Sequence, residues 1–127
     1  MQKQINELLN FSTFFEYTKN KKMSVKTAYK LSKLNKAVTE EVQFYYTKMQ
    51  EIIHNYALLD ENGQPVSTED GAGVKLREGA QEDCYKEVDE LQQMEVTIPD
   101  ITFTLDEFDT IELTPLQVEP IAPFLVE

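Results

Sequence analysis

Apolar residues recur at helical spacing through the first half of the chain. Residues 2–18 carry Ile5, Leu8, Leu9, Phe11, Phe14, Phe15 and Tyr17, whose i, i+3 and i+4 steps predict an amphipathic helix. Asn20-Lys21-Lys22 reads as a turn. Ser24 then reads as the N-cap of a second helix, since its hydroxyl can accept from a free first-turn N–H. From there Ala28, Leu31, Asn35, Val38, Val42, Tyr45, Met49, Ile52, Tyr56 and Leu59 alternate steps of three and four, a heptad seam. Neither proline nor glycine falls between Ser24 and Leu59. The pattern therefore predicts one helix of about 35 residues, about 50 Å long. Asn35 is the polar residue on the seam. There it either fixes register, as in coiled coils, or sits partly solvated near the open end of a helical hairpin.

Folded back antiparallel, the shorter first helix covers the seam only to about residue 41 at 1.5 Å per residue. Val42, Tyr45, Met49, Ile52 and Tyr56 then need another cover, either a third helix or a second chain. These five are candidate interaction residues. The length mismatch predicts tight packing with a later segment or a homo-oligomer.

The middle section opens on Asp60-Glu61-Asn62-Gly63, a turn carrying the Asn-Gly dipeptide. Gln64–Ser67 and Gly73–Leu76 read as two short strands joined through Glu69-Asp70-Gly71, and residues 80–94 as a third helix. Tyr85, Val88, Leu91 and Met94 are expected on one face of it, with Cys84 near that face as a small buried thiol. Beyond it, residues 95–99 and 101–105 alternate apolar and polar as half-buried strands do, and Pro99 keeps them at an edge. Asp106 is a candidate cap for a short turn over Glu107-Phe108. Thr114-Pro115 is an N-cap followed by proline at the first helical position. Pro120 and Pro123 keep the last helix short, and Ile121, Pro123, Phe124, Leu125 and Val126 predict a C-terminus that docks. The expected architecture is α+β and mainly α in a single domain. A helical hairpin (1–59) is followed by a turn, β-hairpin and helix (60–94), then a strand and short-helix segment (95–127).

Charge changes the picture. The 127 residues include 23 acidic and 12 basic ones, a net charge of -11. Eight lysines and only two glutamates lie in residues 1–36; the remainder holds four basic and 21 acidic residues. Such a bipolar chain can meet an acidic partner at one end, a basic one at the other, or a copy of itself head to tail. Lys26, Lys30 and Lys33, spaced by four and three, form one stripe on the second helix, expected to face solvent as an electrostatic contact. The overall acidity argues against direct nucleic-acid binding. No apolar run reaches the roughly 18–20 residues of a membrane span. Polar residues interrupt the N-terminus too soon for a signal peptide. One cysteine cannot form an internal disulfide, which fits a reducing cytoplasm.

Signals for catalysis or cofactors are weak. Asp60-Glu61-Asn62-Gly63 fails as a calcium loop, because its glycine is fourth and the twelfth position is Gly71. Gly71-Ala72-Gly73 lacks the lysine and hydroxyl residue of a phosphate loop. One histidine, His54, and one cysteine do not make a zinc site, and His54 has no evident nucleophile. The carboxylate pairs Glu40-Glu41 and Asp106-Glu107 are what so acidic a chain supplies by chance. The expectation is a non-enzymatic protein with no cofactor and no metal.

The stretches "VKTAYKLSKLNKA", "EEVQFYYTKMQEIIHNYALLDENGQPV", "GAGVKLREGAQEDCYKEVDELQQMEVTIP" and "LDEFDTIELTPLQVEPIAPFLVE" follow one another over nearly the whole chain. In that order they resemble a group of small phage and prophage proteins. In that group a helical hairpin leads into a "DENG-P" turn, an "EL…EVEI" segment and a terminal "L-P…PF-E" helix. Pro120 departs from a continuous terminal helix. The likeness implies a phage setting, in the host cytoplasm or incorporated in a virion. It implies no reaction and carries over no functional residue. Within that setting two functions are expected, the first from the apolar seam, the apolar C-terminus and the bipolar charge, the second from the net acidity. The first is a virion, tail or assembly component acting on itself or another protein. The second is an anti-defence inhibitor that blocks a host immune protein or sequesters a nucleotide signal.

Overall fold

The computed structural model describes residues 1–126; Glu127, the last residue of the predicted C-terminal segment, lies outside the described residues. The fold is α+β and mainly α, with a long helix and a two-stranded antiparallel sheet. It divides into two compact units, one built from residues 1–43 and 95–127, the other from residues 44–94.

In the first unit the N-terminal stretch is not one helix. It forms β1 (Gln2–Gln4), α1 (Ile5–Leu8) and α2 (Phe11–Thr18). The cause is a reciprocal cap: the Gln4 N–H donates to Glu7 Oε1 at 2.9 Å, which starts α1 and leaves residues 2–4 extended. That short strand pairs antiparallel with β2 (Glu95–Thr97), with Lys3 opposite Val96. The Met1 ammonium donates to the Ile98 carbonyl at 2.7 Å, tying down the end.

Ser24 caps α3 (Val25–Tyr56) as predicted, its Oγ accepting from the Thr27 N–H at 3.2 Å. The buried face of the first half of α3 is Thr27, Leu31, Leu34 and Val38, whereas Ala28 is exposed and Asn35 half-buried. The heptad reading fails here for a geometric reason. A straight helix repeats every 3.6 residues, so a 3.5-residue seam drifts by about 20° per heptad. Between Tyr45 and Ala28 that drift moves the contact face by about half a residue step, from 28/35 to 27/34.

The core of this unit is aromatic. Phe11 meets Phe124 edge to face at 5.5 Å, Phe14 meets Phe108 at 5.4 Å, and Phe103 lies 5.3 Å from Phe108. Leu8, Leu31, Leu34, Val38, Ile98 and Ile121 fill the spaces between. The predicted strand 101–105 is reduced to one parallel bridge, Phe103 to Leu125, with the Phe103 N–H donating to Phe124 O at 2.8 Å. Thr104, not Asp106, caps the 3-10 turn Leu105–Phe108, because Glu107 reaches back to the Thr104 N–H at 2.8 Å. Thr114 caps α5 (Pro115–Val118) with Pro115 in its first turn, and a 3-10 helix, Glu119–Phe124, follows. Ile121 and Phe124 dock in the core, as the apolar C-terminus predicted; Val126 remains exposed.

The second unit pairs the C-terminal half of α3 with α4 (Gln81–Gln92). Between them run three extended segments held by single bridges: Ala57 to Leu76, Leu59 to Pro65, and Ser67 to Val74. The predicted hairpin is present as the last of these. The turn at Asp60 forms because its Oδ1 accepts from the Asn62 and Gln64 N–H groups at 2.9 and 3.0 Å, with Gly63 at φ +77°. Arg77 closes the end of α3: its guanidinium donates to Asn55 O and its N–H to Tyr56 O, both at 2.9 Å. No described helix is long and apolar enough to cross a membrane.

Candidate protein-binding cleft

The five seam residues do not form one surface. Val42 is half-buried against the core of the first unit. Tyr45 is 2% exposed, and its hydroxyl accepts from Gln92 Nε2 of α4 at 2.8 Å, so it holds the second unit together. Ile52 and Tyr56 are half-buried on the α4 side of the helix. The Tyr56 hydroxyl faces the Glu87 carboxylate, whose hydrogen bond, aided by burial and by the charge itself, pushes the phenol up to about 12. For Tyr45, Ile52 and Tyr56 the cover is therefore α4 of the same chain, one of the two alternatives open in the sequence.

Met49 takes a different place. With Ile53, Leu58, Leu76, Tyr85 and Val88 it lines a cleft of about 650 Å³ in the second unit. Tyr85 stands at its edge, 66% exposed, and Leu58 is also exposed. The prediction that Tyr85, Val88, Leu91 and Met94 share one face does not hold: Val88 and Leu91 are half-buried, Tyr85 is exposed, and Met94 lies beyond the end of α4. Successive steps of three turn 300° on an α-helix, so Leu91 ends up about 120° round from Tyr85. Cys84 is the buried residue instead, with Val88, Leu91 and Gln92 half-buried after it. Burial, then the charge of Glu87, raises the Cys84 thiol above its ordinary range and keeps it protonated.

The lysine stripe is also divided. Lys26 and Lys33 are exposed, as expected. Lys30 is not free: its ammonium pairs with both Glu107 oxygens, at 2.9 and 3.1 Å, and lies 4.5 Å over the Phe103 ring. Glu107 also accepts from Thr27 Oγ1 at 3.0 Å. Burial alone would raise this carboxyl, but the bonds from Lys30, the Thr104 N–H and Thr27, with the Lys30 charge, hold it below the ordinary carboxylate range. The expected solvent-facing triplet thus loses its middle member to an internal ion pair.

Sequence reasoning missed the residues that replace it. Val25 and Tyr29, one helical turn apart, are 86% and 67% exposed on α3. Their signal was present: both lie opposite the face of Thr27, Leu31 and Leu34. Among the described residues no three His, Cys, Asp or Glu side chains converge as a metal-holding group. The Asp70 carboxylate is occupied by the Thr68 hydroxyl and the Ala72 N–H, which lower its pKa. No protein-family model, curated protein or solved structure matches the chain.

Proposed function

We propose that the chain is a non-enzymatic interaction protein of a phage, a virion or tail accessory component or an assembly factor, whose working surface is the cleft of the second unit. One observation carries this reading: an apolar cleft of about 650 Å³ is left open beside the exposed side chains Tyr85 and Leu58. Aromatic residues at the edge of an apolar depression are the usual anchors of protein recognition. The resemblance of its motif order to that of small phage proteins supports the phage setting. The test is mass spectrometry of purified virions and assembly intermediates from a phage encoding the chain. Stoichiometric presence supports the reading; absence from both contradicts it.

A second reading is favoured by one face of α4, where Glu82, Asp83, Glu87, Asp89 and Glu90 are all exposed. Such a surface suits an inhibitor that occupies a basic groove of a host defence protein. Early expression with absence from all particles supports that alternative.

A further inference from the structure

The first unit displays the chemistry that the cleft of the second would accept. On α3, successive residues turn by 100°, so Val25, Lys26, Lys33 and Lys36 lie within about 60° of Tyr29. All of these side chains are exposed. They make an apolar knob, Tyr29 and Val25, ringed by ammonium groups; Glu40, a turn beyond Lys36, ends the patch. Leu31 and Leu34 bind the opposite face of α3 into the core, so the knob is presented on a rigid helix.

The cleft is complementary in both respects. Its lining is mostly apolar, with Lys75 its one charged residue, and exposed acidic residues flank it in the chain. On α4, Glu82 and Asp89 lie within about 60° of Tyr85. On the other wall Glu69 and Asp70 follow Thr68, a lining residue. Lys75 in the lining and Lys86 on α4 are the opposing cations. Across residues 44–94 eleven acidic residues stand against four basic ones.

We infer that the occupant of the cleft is a second copy of this chain: the Val25–Tyr29 knob of one copy seats in the Met49–Leu58–Tyr85 cleft of the next. The inference rests on the reading of the chain as an interaction protein and names the partner. The contact is heterologous, head to tail. Each copy keeps one free knob and one free cleft, so assembly continues into a chain or closes as a ring. A cleft-to-cleft dimer would instead oppose two acidic flanks.

The test is light scattering on the full chain and on two variants, Tyr29→Glu and Tyr85→Glu, both at exposed positions, with circular dichroism as the folding control. Wild type is expected to gain mass with concentration, and each variant to stay at 14.7 kDa. Self-affinity should fall by about 30-fold, as for loss of an interface aromatic anchor. Mixing the two variants should restore one contact and yield a dimer that grows no further, because one intact cleft and one intact knob remain. A second pair keeps the question sharp: Lys26→Glu with Lys33→Glu should weaken assembly, and Glu82→Lys with Asp89→Lys should restore it. Salt should weaken the wild-type contact as the Debye length falls from about 10 Å at 0.1 M to about 3 Å at 1 M. A wild type that stays monomeric throughout, or variants that fail to complement each other, overturns the head-to-tail contact. If the monomeric wild type is nevertheless found in particles, the interaction reading stands and only its self-partner falls.

Discussion

Replacing Glu107 probes the first unit at the point where its helix, loop and core meet. The carboxylate accepts from Lys30 twice, from Thr27 Oγ1 and from the Thr104 N–H, all within 3.1 Å. The Lys30 and Glu107 side chains are only 23% and 21% exposed, so the pair is screened far less than a surface bridge. Glu107→Ala leaves an ammonium over an aromatic ring and an unpaired N–H in a half-buried site. A cost of about 2–3 kcal/mol is expected, between that of a surface pair and a buried one. Glu107→Gln keeps the shape and some of the bonds, and should cost about 1–2 kcal/mol. The sign of the pH dependence follows from the lowered carboxyl pKa. Its stabilisation is fully present above the ordinary value of 4.5 and is lost as pH falls through the folded value. Wild type and Glu107→Gln should therefore differ at neutral pH and converge in acid. Urea unfolding followed by far-ultraviolet circular dichroism measures this, with exposed Glu40→Gln as the control for relief of net negative charge. A Glu107→Ala variant within about 0.5 kcal/mol of wild type, the range of ordinary surface substitutions, would rule out a stabilising role for the Lys30–Glu107 pair. So would an offset for Glu107→Gln that does not change with pH.

Cys84 should resist alkylation in the native protein, even where a free thiol ionises, and react at once after unfolding; equal rates in both states would contradict its burial and raised pKa. Tyr45→Phe removes the acceptor of the Gln92 amide and should cost about 1 kcal/mol, read as a lowered urea midpoint. Phe103→Ala opens a cavity beside Phe108 and under the Lys30 ammonium. It should cost about 3–5 kcal/mol, and a loss below that of Tyr45→Phe would mean the aromatic core is misplaced. Met49→Lys should weaken assembly more than Met94→Lys in a dilution series, because Met49 lines the cleft and Met94 does not.

The long helix, its Ser24 cap, the Asn-Gly turn and the Thr114-Pro115 start were legible because each is specified by neighbours in sequence. What was illegible depended on distance in space or on phase. The pairing of β1 with β2 joins residues more than ninety positions apart, and nothing in Gln2–Gln4 announces a strand. The buried faces of α3 and α4 were missed by a fraction of a turn, since heptad and three-step readings depart from the 3.6-residue period. Lys30 looked like Lys26 and Lys33 in the sequence; only the return of Glu107 over α3 separates them. The candidate surface was half legible for the same reason. Met49 and the lysines were found from spacing, whereas Tyr29, Leu58 and Tyr85 are marked by exposure, which spacing does not report.

The proposed working surface of this protein is the cleft around Tyr85. Phage encoding either the wild-type chain or Tyr85→Glu should be compared by quantitative mass spectrometry of purified virions and assembly intermediates, with the variant's fold checked by circular dichroism. Wild-type chain in the particles and depletion of the folded variant is the predicted result. Equal incorporation of both, or the absence of wild type from every particle, would contradict it.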